Sequence, residues 1–76
     1  MIIPDIVLVA PITDISGVAE SARNLYLALL DLGVKVKLVE IPFWSHLKAK
    51  LHPEIEDKIR MGFERNDLRN PAVINL

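Results

Sequence analysis

The sequence predicts an α/β fold, a β-α-β-α-β unit of partial Rossmann-like, three-layer architecture whose parallel sheet is incomplete on one face. Three observations carry this expectation. Ile6 to Ala10 is a continuous apolar run rich in β-branched residues between Pro4 and Pro11, the pattern of a strand buried on both faces. A helical period follows, opened by Ser16 and Gly17 and closed by Gly33, with a hydroxyl or glycine for the first cap and a left-handed glycine for the last. Val34 to Ile41 then runs apolar or alternating into Pro42. A strand, a helix and a second strand in succession make a parallel pair joined by a crossover.

Taken in order, Ile6 to Ala10 is expected as the central strand, and Pro11 to Gly17 as a loop built from turn formers. In the first helix Val18, Ala22, Leu25, Leu29 and Leu32 fall at helical spacing, with Tyr26 and Leu30 widening the stripe and Glu20, Arg23, Asn24 and Asp31 opposite. Leu27 stands apolar on an otherwise polar side. Phe43 to Leu51 is expected as loop or a short helical turn. Pro53 suits the first turn of a second helix, with Glu54 and Glu56 at its positive end and Leu51, Ile55, Ile59 and Phe63 on its buried side. Asn66 to Pro71 breaks that helix, and Ala72 to Leu76 looks like a third strand cut short. If the strands add successively outward, both helices lie on one face and the other is bare, which implies a missing carboxyl-terminal domain or a homo-oligomer.

Composition limits the function classes. The 76 residues are expected to form a single small Rossmann-like domain or a fragment of one, 1–76, and a chain this short buries only roughly 60% of its unfolded surface. A hydrophobic fraction of 51% and a mean hydropathy of +0.32 mark a folding sequence. The net charge of −1 and pI near 6.0 offer no basic patch for nucleic acid. The absence of cysteine excludes disulfides and thiolate metal sites and fits a cytoplasmic location. The amino-terminal apolar run is too short for a membrane span and lacks the basic flank of a signal peptide. Absence of Gln and Cys beside many Ile, Val, Lys and Glu leans toward a thermophile.

The loop after the first strand is the natural ligand position. Free N–H groups at a helix start favour a phosphate at the carboxyl ends of the strands, although Gly17 is equally explained by the turn alone. A dinucleotide fingerprint fails for want of two further glycines, despite Glu40 where a ribose-binding acid would stand, and no P-loop Gly-Lys-Ser/Thr follows.

Ser16-Gly-Val-Ala-Glu-Ser-Ala-Arg-Asn-Leu-Tyr-Leu-Ala-Leu-Leu-Asp-Leu-Gly-Val-Lys-Val36 resembles the first helix of GT-B glycosyltransferases of family 4. Those carry a Gly-x-[Gly/Ala]-Glu-x-x-Arg-x-x-x-x-Ala-Leu-x-x-x-Gly-x-x-Val pattern, met here by Gly17, Ala19, Glu20, Arg23, Ala28, Leu29, Gly33 and Val36. Asn70 to Leu76 is similar to the family's third strand. The resemblance covers nearly the whole chain but only the opening part of a typical member, and so implies truncation after that strand. It further implies two Rossmann-like domains with a nucleotide-sugar donor held mostly by the second, and a sugar or lipid acceptor. Ser16, Gly17 and Val18 (backbone only) would lie at the cleft as substrate-binding residues, with Ala19 replacing a common second glycine. The groups that stabilise the leaving diphosphate belong to the second domain, so no catalytic residue and no cofactor is assigned here, and the chain by itself is expected to be inactive. The competing reading is a non-catalytic α/β module that self-associates through its uncovered sheet face.

Other candidates have simpler explanations. His46 and His52, near Glu54 and Glu56, match no common metal-ligand spacing and suit surface or capping roles; no metal site is assigned. Asp5 and Asp14 lie at opposite ends of the first strand, too far apart for paired acid/base work. Phe43 and Trp44 suit core or interface packing, or stacking on a sugar. Glu54 to Arg65 carries both charges at helical spacing, a solvated face.

Overall fold

The computed structural model describes residues 4–41 and 49–76. The elements are β1 (Ile6–Ala10), α1 (Gly17–Asp31), β2 (Val36–Glu40), α2 (Pro53–Glu64) and β3 (Ala72–Asn75). This is the expected α/β order, and the three strands form one parallel sheet in the order β2-β1-β3. The expectations for Phe43, Trp44 and His46 lie outside the described residues.

Local chemistry explains the helix limits. Ser16 caps α1, its Oγ accepting from Ala19 N at 3.2 Å. At the other end Gly33 adopts φ 79°, Gly33 N donates to Leu30 O at 2.9 Å and Val34 N to Leu29 O at 3.0 Å. These are the two bonds of a Schellman motif, which needs a residue tolerant of the left-handed region at this position. The α2 helix starts with Pro53 in its first turn and His52 as its cap, the imidazole Nδ1 accepting from Glu54 N at 3.2 Å. The histidine is thus a capping residue, as its place before Pro53 suggests.

Register decides which side chains meet. Leu8 lies opposite Leu38 and Ile74, and Ile6 opposite Val36 and Ala72, so alternate residues of all three strands share one face. On it Ile6, Leu8, Ala10, Val36 and Leu38 are buried in a single cluster with Ala22 and Tyr26 of α1 and Ile59 of α2. Both helices therefore feed one core. The opposite face carries Val7, Val9, Val39 and Val73, of which Val39 is 39% and Val73 60% exposed.

Three expectations change. Successive outward addition does not hold: β1 is central, but β3 pairs with its free side rather than extending beyond β2. The bare face arises all the same, because both helices deliver their apolar side chains to the Leu8 side. In α1 the inward line is Ala19, Ala22 and Tyr26; Val18 and Leu32, placed on the buried stripe from spacing, are exposed. Small alanines let the helix approach the sheet, and Tyr26 reaches across to α2, so the stripe is rotated from the one that the leucines mark. Leu27, expected on an otherwise polar side, is partly buried against the core.

Tyr26 links the two helices. Tyr26 Oη donates to Lys58 O of α2 at 2.5 Å, and Gly62 supplies the space that this requires. A Cβ on Gly62 would lie 2.7 Å from Tyr26 Oη and 2.8 Å from Leu38 Cδ1.

Candidate functional site

The loop between β1 and α1 leaves the carboxyl end of the central strand, where open α/β sheets bind ligands. Its shape is held from two sides. Arg23, one turn into α1, donates from Nη1 to Ile12 O at 2.7 Å and to Asp14 O at 2.8 Å. Glu40 ends β2 directly opposite Ala10, and its carboxylate accepts from Ile12 N at 2.7 Å, Thr13 N at 3.3 Å and Thr13 Oγ1 at 2.5 Å. Loop carbonyls go to the guanidinium and loop amides to the carboxylate. Such charge-assisted bonds are roughly twice as strong as neutral ones, so the loop is preorganised before any ligand arrives.

Glu40 stands where a ribose-binding acid would, yet it faces its own loop. The sequence shows its position but not this direction, which follows from the register of β1 on β2. In the sequence Arg23 stands on the polar side of α1 and within the pattern at Ser16 to Val36, and neither shows these bonds. Half-buried in the structure, it acts on the backbone nine and eleven positions upstream.

Ser16, Gly17 and Val18 form the start of α1. Ser16 is spent on capping, while Gly17 and Val18 are exposed. A Cβ on Gly17 would meet nothing within 4 Å. Gly17 is thus open to close approach from outside, and its lack of a side chain is not demanded by packing. Asp14 and Glu20 flank the helix start. Asp14 is only 3% exposed, its Oδ1 accepts from Ile15 N at 2.7 Å, and its Oδ2 is buried without a hydrogen-bond partner. Both carboxylates compensate the positive end of the helix. An incoming phosphate finds backbone donors there but little unbalanced positive charge.

The remaining candidates have structural roles. Asp5 accepts from Arg69 N at 3.0 Å through Oδ2, and its carbonyl accepts from Ala72 N at 2.8 Å, anchoring the entry to β3. It lies at the opposite end of β1 from Asp14, and the two form no pair. Along α2, Glu54, Glu56, Asp57 and Arg60 are exposed. Among the described residues, no group of three or more His, Cys, Asp or Glu is placed to hold a metal ion, and no helix is long and apolar enough to cross a membrane.

Where the helices end, Asp67 collects two cations. Arg65 Nε lies 2.9 Å from its Oδ1 and Lys35 Nζ 3.3 Å from its Oδ2. The hydrogen bond from Arg65, followed by Lys35, holds the carboxyl below its ordinary range. Burial pushes the Tyr26 phenol above its usual value, partly offset by Arg65 and by backbone hydrogen bonding.

Compared with known proteins, the chain matches no protein-family model, no curated protein and no solved structure.

Proposed function

We propose that this chain is the amino-terminal part of a nucleotide-sugar-dependent glycosyltransferase of the GT-B kind. It contributes the Ser16–Gly17–Val18 loop to the cleft between donor and acceptor and is not catalytically competent alone. The observation that carries the reading is the open helix start at Gly17, at the carboxyl end of the central parallel strand, on a loop clamped by Arg23 and Glu40. A rigid loop with an unobstructed backbone suits close contact with a donor or acceptor and adds positioning rather than chemistry. The compensated helix end fits that division: the charge that stabilises a leaving diphosphate has to come from elsewhere.

Titration of the uniformly 15N-labelled chain with UDP-glucose and GDP-mannose tests this. Weak binding, with dissociation constants on the order of millimolar, is expected to move the Gly17 and Val18 amide resonances. Unmoved resonances at both positions in a folded chain refute the reading.

The exposure of Val39 and Val73 favours a second reading, self-association through the open sheet face. Three strands about 4.8 Å apart and about 15 Å long give a face of roughly 200 Å². A standard interface takes about 800 Å² from each partner. Self-association through this face alone is therefore weak and concentration-dependent. Sedimentation equilibrium distinguishes it: a dimer tight at micromolar concentration contradicts this estimate, and a monomer at all concentrations removes the second reading.

A further inference from the structure

The two outer strands of the sheet differ in how their free edges are finished. Val36 and Leu38 of β2 are buried on the helix side, so Lys37 between them starts on the open face, in register with Val7. Its Nζ nevertheless donates to Phe63 O near the end of α2, on the helix side. With β1 on the inner flank, the Lys37 side chain gets there around the outer edge of β2. A lysine laid across an edge strand obstructs the approach of another strand.

β3 has no such guard. Ala72 N donates to Asp5 O at 2.8 Å and Leu76 N to Val9 O at 3.0 Å. Ala72, Ile74 and Leu76 therefore turn their backbone groups toward β1, and Val73 and Asn75, which alternate with them, turn theirs outward. Val73 and Leu76 are 60% and 47% exposed, and Ala72 and Asn75 are exposed as well. No charged residue occurs from Asn70 to Leu76. When this strand meets its own copy, no like charges are opposed.

Pro71 selects how two copies fit. Antiparallel pairing centred on Ile74 sets Val73 against the second copy's Asn75 and Asn75 against its Val73, so that every outward N–H and C=O of these residues is used. Ile74 then meets the second copy's Ile74 at the close, non-hydrogen-bonded position. Centred instead on Val73, the pairing opposes Asn75 to Pro71, which has no N–H to give. Centred on Asn75, it engages only the Asn75 pair within residues 71–76.

We propose that β3 is a self-complementary edge, at which a second copy of this chain adds its own β3, antiparallel and centred on Ile74, to make one continuous sheet. Lys37 prevents the same addition at β2. The edge is about 20 Å long at about 3.3 Å per residue and about 10 Å deep, roughly 200 Å² per copy. A standard interface takes about 800 Å² from each partner. The pair is accordingly transient, with a dissociation constant on the order of 100 µM to 1 mM.

Amide exchange and sedimentation of the 15N-labelled chain, at concentrations below and above that range, test the proposal. Above it, the Val73 and Asn75 amides are expected to exchange at least about twofold more slowly, as half or more of the chain is paired. Val36 and Leu38 amides are expected to stay unchanged, and sedimentation to show a dimer and nothing larger. Mixed 13C-labelled and unlabelled chains should give an intermolecular nuclear Overhauser effect between Ile74 methyl groups. Asn75→Pro removes an outward donor, leaves the Ala72 and Leu76 bonds to β1 in place, and abolishes the slowing at Val73. Val73→Lys charges the edge without removing any backbone donor and weakens association severalfold, whereas Val39→Asp on the open face leaves it unchanged. Lys37→Thr frees the second edge and lets assemblies grow beyond the dimer. Exchange at Val73 and Asn75 that ignores concentration, slowing at Val36 and Leu38 in the wild type, or a wild-type assembly larger than a dimer overturns the proposal. So does undiminished association of folded Asn75→Pro and Val73→Lys chains. The response of Gly17 to nucleotide sugars is independent of every one of these outcomes.

Discussion

Replacing Gly62 by alanine is expected to destabilise the protein although the residue lies inside a helix. Helix propensity alone predicts the reverse, since alanine is favoured over glycine by about 1 kcal/mol in a helix interior. Packing opposes it. The new Cβ would lie 2.7 Å from Tyr26 Oη and 2.8 Å from Leu38 Cγ and Cδ1, all closer than real Cβ contacts. Neither neighbour has room to yield, because Tyr26 and Leu38 are among the largest fully buried side chains. Overpacking of this kind costs about 1–3 kcal/mol, and displacing Tyr26 from Lys58 O removes a hydrogen bond of about 1 kcal/mol. The net loss expected is about 1–3 kcal/mol. At roughly 4–8 °C per kcal/mol for a domain of this size, the melting temperature falls by about 4 °C or more. Thermal unfolding followed by circular dichroism measures it. Gly17→Ala provides the control, because nothing lies within 4 Å of its added Cβ, and it is expected to leave stability unchanged or raise it by up to about 1 kcal/mol. In a Tyr26→Phe background the alanine at 62 should cost less, since the closest clash is gone. A rise in stability for Gly62→Ala in the wild-type background would refute the packing argument.

Arg23→Ala removes the donor to Ile12 O and Asp14 O; at about 1.5–3 kcal/mol for charge-assisted bonds, stability falls by about 2 kcal/mol. Amide exchange at residues 12 to 15 should quicken more than in β2, and uniform acceleration would deny Arg23 its local role. Asp67 is held below its ordinary value first by the hydrogen bond from Arg65. A depressed carboxyl contributes stability that is present above the unfolded pKa, about 3.9, and is lost as pH falls through the folded one. Its carboxyl 13C resonance should titrate below the normal midpoint and return toward it in Arg65→Ala; an unchanged midpoint in that variant assigns the shift elsewhere. Tyr26 has the opposite sign: raised by burial, its neutral form contributes stability that is fully present below about pH 10 and lost as pH rises through the folded pKa. Denaturant unfolding near pH 11 should show this loss, and Tyr26→Phe should flatten it.

The sequence alone determined the order of elements and the helix ends. Each depends on neighbours in the chain: the apolar run between Pro4 and Pro11, the hydroxyl of Ser16 beside the Ala19 amide, the left-handed turn at Gly33, and Pro53 after His52. The loop containing Ser16, Gly17 and Val18 was legible for the same reason, since a strand end and a helix start set its position. What holds that loop was not legible. Glu40 reaches Ile12 and Thr13 only because β2 pairs with β1 in one particular register, and Arg23 reaches back only once α1 lies against the sheet. The placement of β3 beside β1, the rotation of α1 onto Ala19, Ala22 and Tyr26, and the need for glycine at position 62 likewise depended on the tertiary structure. Spacing along a helix counts apolar residues without their sizes, whereas packing selects the face whose side chains fit the space between the sheet and α2.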